Sequence, residues 1–141
     1  MNLDKKSRVF YADDREGMKI SYKNFIDLVN KGKKEYGLTK RNARRIKELD
    51  GYMIERYHIT FGNRIMKQMK EYVSAYMACG GREEEGIDDI IAKKIMRKLE
   101  TQNPVYVRNS IDELCENIDR IFGEGNMEIT KEYLRRLERT L

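Results

Sequence analysis

The chain has 141 residues and a formal net charge of +5, with 40% hydrophobic and 38% charged residues. A chain of this length forms one domain of ordinary size, and its apolar fraction supports one core if the charges lie on solvent-facing stripes. No apolar run approaches the roughly 20 residues that cross a bilayer, and the chain does not begin with a signal-peptide core. We therefore expect a soluble, cytoplasmic protein with no membrane contact and a single domain over residues 1–141.

The first 20 residues predict a short β-hairpin arm. Residues 8–12 and 18–20 are strand-like, and the turn-like residues 13–17 separate them. An isolated hairpin is marginally stable in water, so this one is expected to lie on the rest of the chain. Residues 21–141 have helical periodicity and predict the bundle itself.

Two helices are predicted at the start of the bundle. Ser21 suits the N-cap of the first, which ends near Gly32, and Thr39 suits the N-cap of the second. The second helix has one apolar face and one basic face. Gly51 weakens it by about 1 kcal/mol relative to alanine, so a bend or an end is expected there.

A third helix follows a connection over residues 57–63. Its apolar side chains recur at helical spacing from Ile65 to Tyr76, and residues 79–81, Cys-Gly-Gly, end it. After Arg82, residues 83–85 are three adjacent glutamates before a glycine. This pattern predicts a solvated acidic loop rather than a cation site, since neighbouring side chains on a loop do not converge on one ion.

Three more helical segments complete the pattern. A fourth helix carries an isoleucine and leucine stripe over residues 87–99, and Ser110 with Glu113 forms a capping box that predicts the start of a fifth. Thr130 is the predicted cap of the sixth, with Ile129 before it as a hydrophobic staple. The fold class is therefore expected to be all-α, an orthogonal bundle of five to six helices with a short N-terminal hairpin.

The positive charge of the chain is concentrated in one stretch. Between residues 31 and 47 there are eight lysines and arginines and one acid, Glu35. The positive field of such a stretch attracts phosphate or an acidic partner, and four of its side chains are candidates for phosphate or nucleic-acid contacts: Lys40, Arg41, Arg44 and Arg45. The alternative is a helix face that is simply solvated.

Several kinds of chemistry lack their residues. A phosphate-binding loop of the form G-x-x-x-x-G-K-[ST] is absent, and no apolar strand ends in a paired Asp-Glu that would hold magnesium. The chain has one histidine, His58, and two cysteines, which support neither a Ser/His/Asp triad nor a zinc site. We expect no catalysis by this chain alone, no metal site and no cofactor of its own.

Arg64 differs from the other cationic residues by its context. It follows residues 60–63, Thr-Phe-Gly-Asn, and falls in the first turn of the predicted third helix, so a rigid element carries its guanidinium. An arginine held in this way can make a bidentate contact with a phosphate. The ordinary alternative is a surface or ion-paired arginine.

The segment from Leu49 to Leu99 resembles the C-terminal helical lid of AAA+ ATPases, closest to the McrB-like and MoxR-like groups. The resemblance rests on Phe61-Gly62-Asn63-Arg64-Ile65, which is similar to an aromatic-Gly-x-Arg-aliphatic motif that opens a lid helix. It also rests on residues 86–99, which are similar to a later helix of the form Leu-Asp-x-x-Ile-x-x-Lys-Ile-Leu. Two positions depart from the pattern: Arg97 stands where a proline is usual, and Asn63 where an aromatic or small residue is common.

The resemblance implies a role for Arg64 and partners for the chain. Arg64 matches the sensor-2 arginine, which contacts the γ-phosphate from the lid, so the chain is expected to act as a non-catalytic lid with an AAA+ core domain and neighbouring subunits. In the intact ATPase, of a restriction, phage-defence or remodelling type, the cofactor would be ATP or GTP with magnesium. The competing hypothesis is a stand-alone basic helical module that binds DNA or another protein.

Overall fold

A computed structural model describes residues 9–13, 18–21, 23–24 and 37–141. Strands β1 (Val9–Asp13) and β2 (Met18–Ser21) pair in antiparallel register, close to where the sequence predicted a hairpin. Of the predicted first helix, Lys23 and Asn24 are helical, and the remainder lies outside the described residues. The chain from residue 37 onward is a bundle of packed helices, which confirms the all-α fold class.

Residues 37–141 form five α-helices and one 3-10 helix. They are α1 (Lys40–Tyr57), α2 (Gly62–Ala78), α3 (Glu83–Lys94), the 3-10 helix (Met96–Thr101), α4 (Pro104–Phe122) and α5 (Glu128–Thr140). In this part of the chain, no helix is long and apolar enough to span a bilayer.

The helix α1 begins where the sequence predicted and is longer than expected. The Thr39 side chain accepts a hydrogen bond from the Asn42 backbone N–H at 3.2 Å, which is the predicted cap. The helix does not end at Gly51, one of the two outcomes expected there, because α1 continues to Tyr57. The buried side chains of Leu49 and Met53 flank Gly51 and hold this turn on the core, so packing outweighs the low helix propensity of one glycine.

The helix α3 lies at the centre of the bundle. Its seven residues from Gly86 to Ala92 are all buried, and the helix packs against α2, α5 and the 3-10 helix. A helix that is covered on every side is typical of a protein interior. Around it the core is built mainly from aliphatic side chains and from aromatic rings such as Phe61 and Phe122.

The acidic residues 83–85 are not a solvated loop, as the sequence predicted, but the first turn of α3. Glu83 is 8% exposed, and its carboxylate accepts hydrogen bonds from the Thr39 backbone N–H at 2.8 Å and from the Thr39 hydroxyl at 3.2 Å. Negative charge is favourable at the N-terminus of a helix, and here Glu83 serves the start of α1 as well as that of its own helix.

The predicted starts of the last two helices were also wrong. The helix α4 begins at Pro104, where the Asn103 side chain accepts hydrogen bonds from two backbone N–H groups, and Ser110 lies inside the helix. Ser110 instead bonds the buried Tyr57 hydroxyl at 2.7 Å. The last helix begins at Glu128, and Thr130 is fully buried in its first turn.

The predicted fourth helix over residues 87–99 is divided in two. The helix α3 ends at Lys94, and the chain tightens into the 3-10 helix Met96–Thr101, which keeps Met96 and Leu99 in the core. Short 3-10 segments are frequent at the ends of α-helices, and their tighter winding places side chains differently from a continued α-helix.

Candidate functional site

The first turn of α2 is fixed to the bundle by residues on both sides. Phe61 is 1% exposed, and its backbone N–H donates to the Asp50 carboxylate of α1 at 2.9 Å. Gly62 follows with φ of +73°, a left-handed conformation that a side chain would strain. Phe61 and Gly62 therefore have separate structural roles. The Phe61 ring anchors the chain in the core, and Gly62 turns the chain into the helix.

Arg64 is presented to solvent from this anchored turn. It lies in the first turn of α2 as predicted, its side chain is exposed, and it forms no hydrogen bond or ion pair within the described part of the chain. Ile65, the next residue, is half-buried and packs against the core. No described residue therefore occupies the N–H donors of the guanidinium, while its backbone is held in place.

Every α-helix start in residues 37–141 has at least one side-chain acceptor for a backbone N–H. Side chains accept hydrogen bonds at the starts of α1 (Thr39), α3 (Glu85) and α4 (Asn103). The start of α5 is covered by the Asp88 carboxylate of α3, which accepts the Ile129 and Thr130 N–H groups at 2.9 and 2.8 Å. At α2 the cap residue Phe61 offers no side-chain acceptor of its own, and the Asp50 carboxylate of α1 accepts its N–H at 2.9 Å.

Within the described residues, the basic cluster of the sequence lies on α1, where two of its four candidates have internal partners; residues 31–36 lie outside the described residues. Arg41 forms an ion pair with Glu84 at 3.5 Å, and Arg45 donates a hydrogen bond to the Asn42 side chain at 3.1 Å. Lys40 and Arg44 are exposed and have no ion pair among the described residues. Among the described residues, nothing therefore occupies half of the candidate set.

Carboxylates that join one helix to another were missed in the sequence. Asp50, Glu83 and Asp88 each accept backbone N–H groups from the start of another helix. Burial raises the pKa of Asp88, and its hydrogen bonds from Thr130 and Ile129 oppose that rise. No local pattern reveals these pairs, since the partners of Glu83 and Asp88 are 44 and 42 residues away along the chain.

Comparison with known proteins identifies a family but no activity. The family model that matches is described as a domain of unknown function (DUF8727), and the match covers residues 13–141. No curated protein and no solved structure matches the chain significantly. The matched residues include all five helices and Arg64, and they span nearly the whole chain. The protein therefore belongs to the DUF8727 family.

Proposed function

We propose that this chain is the helical lid of an AAA+ ATPase of the McrB-like or MoxR-like kind, and that Arg64 contacts the γ-phosphate of a nucleotide held by another polypeptide segment. The observation that carries the proposal is the exposed guanidinium of Arg64, which has no partner among the described residues and projects from a helix start that Phe61 and Asp50 anchor. The motif of residues 61–65 supports the same role by resemblance.

The chemistry of phosphoryl transfer explains why this arrangement suits a lid. Charge on the transferred phosphoryl group is stabilised mainly by positioned cations and hydrogen-bond donors, because the protein contributes little covalent chemistry. A planar guanidinium offers two parallel N–H donors to phosphate oxygens. Since Phe61 and Asp50 hold the backbone beside Arg64, a contact by its guanidinium does not require the backbone to be ordered first.

The test of the proposal is nucleotide turnover by the ATPase assembly that contains this chain. Replacing Arg64→Ala should lower kcat by about 10²-fold or more, the cost of removing one transition-state donor. Arg64→Lys keeps the charge but loses the bidentate geometry, so its kcat should lie between that of the unmodified assembly and that of Arg64→Ala. Lys67→Ala, at an exposed cation on the same helix, is the matched control and should leave turnover unchanged.

Thermal unfolding of the three variants distinguishes a lost contact from a lost fold. Arg64 and Lys67 are exposed and unpaired within residues 37–141, so all variants should unfold at the temperature of the unmodified chain. Full turnover by the Arg64→Ala assembly would contradict the proposal. A glycine loop of the G-x-x-x-x-G-K-[ST] type on the nucleotide-holding segment is a further requirement.

A second candidate function is nucleic-acid binding by the open part of the basic face of α1. Lys40, Arg44 and Lys47 are spaced at i, i+4 and i+7, so they share one helix face, and none has an ion pair among the described residues. Three exposed cations on one face can neutralise backbone phosphates without reading sequence.

Fluorescence anisotropy with a labelled DNA duplex tests this second candidate. With three phosphate contacts, the logarithm of the association constant should fall against the logarithm of salt concentration with a slope of about −2.7. Neutralising Lys40, Arg44 and Lys47 together should remove that slope. Neutralising Arg41 and Arg45, which already have partners, is the matched control, and an equal loss there would show that the open face is not the binding surface.

A further inference from the structure

A cleft runs along α5 on the side that faces the end of α3 and the 3-10 helix. It consists of two adjoining cavities of about 350 and 440 Å³, and both are lined by Glu100, Tyr133 and Arg136. The Tyr133 hydroxyl donates a hydrogen bond to the Glu100 carboxylate and so joins the two walls where the cavities meet. Arg64 and the basic face of α1 do not contribute to either cavity.

Aliphatic side chains line the interior of both cavities. Ala92 and Ile129 lie in the first, and Leu137 and Leu141 lie in the second. The Tyr133 ring lines both cavities. Each cavity thus offers an apolar surface for one aliphatic side chain, which is the usual interior of a binding pocket with a few polar groups at its edge.

The rim of the cleft carries an excess of positive charge. Lys93 is paired with Asp89 at 3.0 Å, but Arg97 and Arg136 have no carboxylate partner within the described part of the chain. The Arg136 guanidinium lies 6.0 Å from the centre of the Tyr133 ring, which holds it at the junction of the two cavities. Among the described residues, Glu100 is the one acidic side chain that lines the cleft, and it accepts a hydrogen bond from Tyr133.

We propose that this cleft binds an acidic peptide segment of a partner polypeptide, with one aliphatic side chain in each cavity and carboxylates on Arg97 and Arg136. Clusters of arginines commonly recognise acidic motifs through charge-assisted hydrogen bonds. The α5 wall of the cleft, from Ile129 to Thr140, is about 16 Å long at 1.5 Å per helical residue. An extended peptide of about five residues covers that length. Its aliphatic side chains enter the cavities from alternate positions, and the long side chains of Arg97 and Arg136 reach the carboxylates between them from the rim.

The same features disfavour a nucleic acid as the occupant. Single strands bind on successive aromatic side chains that stack the bases, whereas Tyr133 is the one aromatic ring among the described residues that line this cleft. Glu100 stands midway along the cleft, where a continuous phosphate backbone would meet its negative charge. A peptide avoids that repulsion because its acidic residues can be spaced to either side of Glu100.

Fluorescence anisotropy with the purified chain tests the proposal. The probe is a labelled hexapeptide of alternating leucine and glutamate, compared with peptides that carry lysine in place of glutamate or serine in place of leucine. The leucine-glutamate peptide should bind, and each replacement should weaken its binding by about tenfold or more, because one removes the charge match and the other the apolar anchors.

Variants of the chain locate the binding. Replacing Arg97→Gln and Arg136→Gln together should weaken binding of the leucine-glutamate peptide by about tenfold. Arg139→Gln, at an exposed position on the same helix outside both cavities, is the matched control and should leave affinity unchanged. Amide chemical shifts should change over residues 92–100 and 129–141 when the peptide is added to the unmodified chain.

Four outcomes would overturn the proposal. They are absence of peptide binding, an equal loss of affinity in the Arg139→Gln variant, chemical-shift changes confined to residues 40–47, and tighter binding of an oligothymidylate of about ten nucleotides than of the peptide. The comparison of peptides and the chemical-shift measurement both use the unmodified chain. They therefore test binding at this cleft even if the double variant does not fold.

Discussion

Single buried carboxylates decide where helices of this bundle begin. Asp88 is 6% exposed and accepts two backbone N–H groups of α5, while the Thr130 hydroxyl donates to the Asp88 backbone carbonyl at 3.1 Å. The side chain of Asp88, a residue of α3, therefore caps the N-terminus of α5. Leaving a buried donor without an acceptor costs far more than an average hydrogen bond contributes.

We expect the Asp88→Ala variant to lose about 2–3 kcal/mol of unfolding free energy, because two N–H groups at the start of α5 lose their acceptor. Asp88→Asn keeps one acceptor oxygen and should lose less. Asp112→Ala is the control, since Asp112 is an exposed acid paired with Arg135 and should cost below about 1 kcal/mol. Urea unfolding measures all three, and an Asp88→Ala loss no larger than that of Asp112→Ala would contradict the role of Asp88.

At the scale of helices, two glycines differ in the space available for a side chain. Gly51 lies inside α1 with open space around its Cα. Gly81 lies in the turn between α2 and α3, where a Cβ atom would stand 2.1 Å from the Tyr76 ring. Tyr76 is 8% exposed, so its ring is held in the core and cannot easily move aside.

Replacing each glycine with alanine should therefore change stability in opposite directions. Gly51→Ala should raise the unfolding free energy by about 0.5–1 kcal/mol, since alanine is the better helix former and meets nothing. Gly81→Ala should lower it by about 1–3 kcal/mol through overpacking against Tyr76. Thermal and urea unfolding measure both. Two changes of the same sign would show that this account of the turn is wrong.

At the scale of the whole molecule, ion pairs between helices make stability depend on pH. The hydrogen bond from Arg56 lowers the pKa of Glu113, which joins α1 to α4. Burial acts to raise the pKa of Glu84, but its own backbone N–H, the Asn42 amide and two arginines outweigh burial and lower it. Burial raises the pKa of Asp88, so this residue acts in the opposite direction.

The free energy of unfolding should therefore fall as the pH is lowered from about 5 to about 3. A carboxyl group with a lowered folded-state pKa stabilises the fold above its ordinary value, 4.5 for glutamate, and this stabilisation is lost as the pH falls through the folded-state pKa. The double variant Glu84→Gln/Glu113→Gln should show a shallower decline. Urea unfolding at several pH values measures it, and an unchanged slope in the double variant would assign the decline to other groups.

The periodicity of the sequence predicted most of the helices because each follows from residues three and four apart. It also placed Arg64 in the first turn of α2, since the aromatic-glycine turn and the apolar stripe that follows are local patterns. The same reliance on local patterns led to the errors at Ser110 and Thr130. Both match a capping pattern, yet both lie buried inside their helices. A local pattern does not show whether a hydroxyl will bond to a backbone N–H of its own helix or to a group on a neighbouring helix.

Composition and spacing alone therefore determined that this chain is helical, that its sequence lacks a phosphate-binding loop and that Arg64 lies in the first turn of a helix. Only the tertiary structure decided that Glu83 and Asp88 cap other helices, that two of the four basic candidates have partners, and that Arg97 and Arg136 share a cleft. The physical reason is chain separation: Arg97 and Arg136 belong to elements that meet only when α5 packs against α3 and the 3-10 helix.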